Sequence, residues 1–162
     1  MTRPGASLTL AVSAALVVLA SAGCDPGDGG AMELAAGDTE VFRAEVEPLL
    51  EARCANPSCH GAADRPLEIF AQLKHRADPD EVFRETALTE EELHLNQLRA
   101  ACFVRDMEHG STLAKKPLPL DDGGIAHAGG VIFESAEDAE YLPLRDWVEA
   151  TAAALTVQEQ EP

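Results

Sequence analysis

The stretch Val41–Gly61, VFRAEVEPLLEARCANPSCHG, decides how the chain is read. Val41, Phe42, Val46, Leu49 and Leu50 recur at helical spacing, and Asp38 or Thr39 just ahead offers an oxygen to cap the free amides of an acidic first turn. Pro48 lacks an amide hydrogen and crowds the turn before it, so it should kink this helix or divide it. The apolar stripe faces inward, and the C-terminal end of the helix delivers Cys54.

From there the chain runs Cys54, four residues, Cys59 and then His60. Three chemistries use such a pattern. Two thiols can add across the vinyl groups of a porphyrin while the adjacent imidazole binds its iron from the same side. The short form of that motif is C-x-x-C-H; here Ala55, Asn56, Pro57 and Ser58 widen it, and Asn-Pro-Ser is turn chemistry that lets the extra residues bulge outward. Zinc could take Cys54, Cys59, His60 and His127 as a tetrahedron, although neighbouring Cys59 and His60 reach one ion awkwardly. A disulfide between Cys54 and Cys59 needs only an oxidising compartment.

The N-terminus points to such a compartment. MTRPGASLTLAVSAALVVLASAGC has a basic start at Arg3, an apolar run and then small residues, the three parts of an export signal over residues 1–23. Ser21-Ala22-Gly23-Cys24 resembles the lipobox of bacterial lipoproteins, which implies acylation of Cys24 and a lipid anchor in a membrane. Residues 24–37, rich in Gly and Asp, read as a flexible tether, and residues 156–162 as a disordered acidic tail. Removal of Arg3 with the leader takes the formal charge from −17 to −18, which argues against a nucleic-acid partner and is compatible with a basic protein partner.

Between tether and tail, residues 38–155 read as one mostly helical domain with no alternating strand pattern. RPLEIFAQLKHR, with Leu67, Ile69, Phe70 and Leu73 apolar, suggests a second short helix, and EVFRETA one further turn. Thr89 and Glu92 form the signature of a capping box before a third helix, whose apolar positions are Leu93, Leu95, Leu98, Ala101 and Cys102. Pro117, Pro119 and four glycines keep KKPLPLDDGGIAHAGG out of regular structure. A last helix should start near Ser135 and turn Tyr141, Leu144, Trp147, Val148 and Leu155 to one side. Cys102 reads as a buried free thiol, and His75, His94 and His109 as surface residues.

Placed in this order, the landmarks resemble planctomycete-type cytochrome c domains of exported bacterial proteins. Phe42, Val46, Pro48, Leu49, Leu50, Cys54, Cys59, His60 and Gly61 match the opening helix and haem motif. GSTLAKKPL, HAGG and Tyr141 to Trp147 match the later ones, while Ala62 to Arg105 matches nothing. The resemblance implies an all-α, class I-like cytochrome c fold with long haem-enclosing loops. It implies one haem c held covalently by Cys54 and Cys59, with His60 as proximal iron ligand.

The same resemblance implies a second axial ligand from a late loop. His127 is the expected one, since Gly129 and Gly130 let the backbone come close to the porphyrin. Met107 is its competitor, in a polar stretch beside Asp106 and Glu108. The function expected is electron transfer, not enzymatic turnover, between redox proteins of the cell envelope, in the periplasm or on its membranes. Two alternatives stay open: an exported interaction lipoprotein with a Cys54–Cys59 disulfide and no cofactor, and a haem enzyme or sensor whose iron lacks the distal ligand.

Overall fold

Asp38 opens the first helix, its carboxylate accepting hydrogen bonds from the amides of Glu40 and Val41. The structure, a computed structural model, describes residues 37–104 and 111–158. The leader, the tether up to residue 36 with Cys24, the competing ligand Met107, and His109 lie outside the described residues. Helix α1 (Thr39–Val41) runs into a π-helical turn (Phe42–Val46) and then α2 (Glu47–Arg53). The wide turn falls directly before Pro48: with no amide at Pro48 to bond back, the Glu47 amide reaches Phe42 and the helix continues past the proline.

Helix α3 (Glu90–Cys102) begins with the capping box expected of Thr89 and Glu92. Its buried face is another matter. Glu92, Asn96, Gln97, Ala100 and Ala101 are buried, whereas Leu93, Leu95, Leu98 and Cys102 are only half so.

The reason lies in residues 65–76, where the expected second helix does not form. Leu67, Ile69, Phe70 and Ala71 are buried along an irregular segment, and Leu73 is exposed in the left-handed region with φ 62°. Backbone groups there must find partners elsewhere. The Asn96 side chain accepts from the Phe70 amide (2.9 Å) and donates to the Phe70 carbonyl (2.8 Å); Glu51 accepts from the Gln72 amide (2.7 Å). Arg76 and Glu92, both about 2 % exposed in their side chains, pair at 2.8 Å, and Arg76 also donates to Thr86 and to the Ala87 carbonyl. Polar groups on α3 thus replace helical hydrogen bonds in the segment packed against it. The helical turn expected of EVFRETA does not form: a 3-10 turn at Pro79–Glu81 precedes that stretch and shares only Glu81 with it.

Helix α4 (Thr112–Lys115) is a single turn capped by Ser111, and a 3-10 turn (Leu120–Asp122) is the other regular piece in the proline- and glycine-rich stretch. Helix α5 (Leu142–Gln158) starts later than Ser135, which caps only a local turn through Glu137. Pro143 suits a first helical turn, where its missing amide costs nothing. The expected face holds: Tyr141, Leu144, Trp147, Val148 and Leu155 are buried. Trp147 packs on Phe42 with centroids 5.0 Å apart, and Tyr141 donates to the Ala114 carbonyl at 3.2 Å. The described residues form helices, turns and irregular segments without a strand, an all-α arrangement.

Candidate functional site

Helix α2 passes into the motif loop at the Leu50 carbonyl, which accepts from both Cys54 and Ala55 at 2.9 Å. Asn56 then organises the bulge. Its side-chain oxygen accepts from the Ser58 amide and hydroxyl, and its carbonyl accepts from the amides of Cys59 (2.8 Å) and Gly61 (3.0 Å). Gly61 is obligatory here, because a Cβ would stand 2.3 Å from the Ala55 carbonyl oxygen. The four-residue insert is therefore an ordered turn that sets Cys59 and His60 back beside Cys54.

These three residues line one cavity of about 360 Å³. Leu50, Leu67, Leu113, Ile132 and Leu144 give it an apolar wall, and Arg53, Arg65 and Lys116 are its charged lining residues. No carboxylate is among the lining residues, although the chain as a whole carries −17. The volume lies within the range of small-molecule and cofactor sites. Arg53 is held by Glu140, while Arg65 reaches the Ser58 carbonyl at 3.4 Å.

Opposite His60, in the same lining, stands His127. The two rings lie within 18° of parallel with centroids 6.1 Å apart. The two planes are stacked.

The tautomers suit metal ligation. His60 Nδ1 lies 2.8 Å from the Leu67 carbonyl, and His127 Nδ1 lies 3.0 Å from the Gly130 carbonyl. A carbonyl can only accept, so in the neutral ring each Nδ1 carries the proton and each Nε2 keeps its lone pair, the arrangement that prepares histidine as a metal ligand. Burial lowers the pKa of His60, with the charges of His127, Lys116 and Arg65 acting in the same direction against the Leu67 hydrogen bond. That keeps the ring neutral and able to ligate.

Cys54 is half-buried and its thiol is pushed up to about 11, chiefly by burial and further by Cys59; Cys59 is exposed, and both are free thiols. Cys102 does not line the cavity. His75, expected at the surface, is instead half-buried, pairing with Glu68 at 2.5 Å and stacking on Phe70. Among the described residues no three His, Cys, Asp or Glu side chains converge on a point that would hold a bare metal ion. Cys54, Cys59, His60 and His127 nonetheless bring two thiols and two imidazoles, a donor set that could hold a metalloporphyrin, into the lining of one cavity.

Sequence reasoning missed Arg53, Arg65 and the Leu67 carbonyl. Arg65 and Leu67 belong to the segment read as a helix, where neither would face the motif loop. Comparison with protein-family models, curated proteins and solved structures finds no match to this chain.

Proposed function

We propose that this chain is an exported, lipid-anchored, single-haem c-type cytochrome of the planctomycete kind, with a class I-like fold, which carries electrons between redox proteins of the cell envelope. The observation that carries the reading is that Cys54, Cys59, His60 and His127 line one cavity, with the two imidazoles 6.1 Å apart. Haem supplies a one-electron iron couple when bound.

The chain's residues do the rest. Cys54 and Cys59 would hold a haem covalently through their thiols. His60 and His127 would offer Nε2 to its iron, and two imidazoles would set a lower reduction potential than imidazole with thioether. Arg65 and Lys116 suit the carboxylates of such a ligand, and the leucines of the wall exclude water. Electrons would cross at the side where Cys59 is exposed.

The test is direct. The mature domain, produced in a host with cytochrome c maturation machinery, should give a c-type pyridine haemochrome spectrum and retain haem on a denaturing gel. Cys54→Ser with Cys59→Ser should abolish the retained haem. A wild-type chain that folds with both cysteines intact and holds no covalent haem would refute the reading.

A further inference from the structure

The two histidines are supported very unequally. On the His60 side, the His60 amide donates to Cys54, the Ile69 amide donates to the His60 carbonyl, and Nδ1 reaches Leu67, seven residues along. Gly61 is wedged against the Ala55 backbone. Moving that ring means dismantling the motif loop and its bonds to the 65–76 segment.

His127 sits differently. Its Nδ1 bonds to the Gly130 carbonyl and the Gly130 amide bonds back to the His127 carbonyl, both within one turn. Ala126, Ala128, Gly129, Gly130 and Val131 around it are exposed. The flanks are fixed on either side: Gly124 and Ile125 donate to Pro119 and Lys115, and Ile132 and Phe133 both donate to Pro117. The turn from 126 to 131 can therefore swing as a unit on anchored ends, carrying its own hydrogen bonds with it. Gly130, at φ 77°, and Gly129 supply backbone freedom inside it.

Resting on the cytochrome reading above, we infer that His127 is a displaceable ligand, and that the site takes a small uncharged diatomic molecule at iron when the 126–131 turn opens. Binding is an exchange of one neutral donor for another, with no electron or proton transferred. The apolar lining of Leu113, Ile132 and Leu144 suits such a guest. The chain would then sense or scavenge a diatomic gas as well as carry electrons.

Carbon monoxide is the probe, added to the dithionite-reduced holoprotein. Wild type should bind it at a rate that levels off as carbon monoxide rises, because opening of the turn becomes limiting. With an open population of 0.1–10 %, His127→Ala should bind about 10- to 1,000-fold more tightly, at a rate linear in ligand. Gly129→Ala provides a second variant and should fall between the two. A haem-loaded wild type that takes up no carbon monoxide where His127→Ala does would overturn the inference and leave the cytochrome reading intact. Identical linear binding in both proteins would overturn it too, by removing His127 from the iron. Absence of covalent haem would overturn both.

Discussion

Gly129 lies directly under the His127 imidazole: a Cβ built on it would stand 3.0 Å from Cε1 and 3.2 Å from Nε2. One of the two crowded atoms, Nε2, is the one that the proposed ligation would use. Gly129→Ala should therefore shift the ring by a few tenths of an ångström and weaken its ligation without touching the core. The loaded variant is expected to show a partly high-spin absorption and electron paramagnetic resonance spectrum. Its melting temperature should stay close to wild type, since residue 129 is exposed. A fully low-spin spectrum would show that the glycine is not needed for His127 to bind.

Gly61 is constrained by backbone instead of a ring. A Cβ there would meet the Ala55 carbonyl oxygen at 2.3 Å and its carbon at 2.7 Å, and Ala55 is buried in the core cluster. Neither atom can step aside cheaply, so Gly61→Ala should cost about 1–3 kcal/mol, the usual range for forced overpacking. The spread between Cys54 and Cys59 should change with it. Urea denaturation of the apoprotein measures the first effect, and the fraction of chains carrying gel-stable haem measures the second.

The Arg76–Glu92 pair tests how the irregular 65–76 segment is held. Burial would push the Glu92 carboxyl up, but the Arg76 guanidinium and the amides of Thr89 and Ala77 outweigh it and bring the pKa down to about 2. A carboxylate depressed in the folded state contributes stability that is present above its ordinary value near 4.5 and is lost as pH falls towards 2. Glu92→Ala removes the charge and strands the buried Arg76. It should cost about 3–5 kcal/mol at pH 7, as breaking a buried pair usually does. Chemical denaturation at pH 7 and pH 3 should show the difference from wild type shrinking at the lower pH.

These contacts also explain what the sequence could and could not reveal. Asp38, the Thr89–Glu92 capping box and the α5 face were legible because each depends on residues a few positions apart. The facing of His60 and His127 was anticipated only through a family resemblance, since 66 residues separate them and no local pattern joins them. The 65–76 segment misled because its apolar spacing fits a helix while its backbone is satisfied by Asn96 and Glu51, partners distant in sequence. Asn96 and Glu92 in turn are absent from the apolar positions read for α3, yet both are buried. A buried polar side chain that bonds another segment's backbone leaves no mark in a hydrophobic pattern.

Glu47 gives the clearest pH dependence. It is 4 % exposed, one oxygen accepts from Asn96 at 3.0 Å, and the other has no hydrogen-bond partner. Burial, with some help from Glu51, pushes its carboxyl up to about 7 against the effect of the Asn96 hydrogen bond. The folded state therefore holds a proton that the unfolded chain releases near 4.5. Between those values the unfolded state binds fewer protons, so stability must fall as pH rises, by about 3 kcal/mol in all, and level off above 7. Glu47→Gln keeps the acceptor for Asn96 and cannot ionise, so this decline should vanish and the variant should gain on wild type as pH rises from 5 to 8. Equilibrium urea unfolding at half-unit pH steps decides it: parallel curves for the two proteins would mean that the Glu47 carboxyl is not the group that titrates.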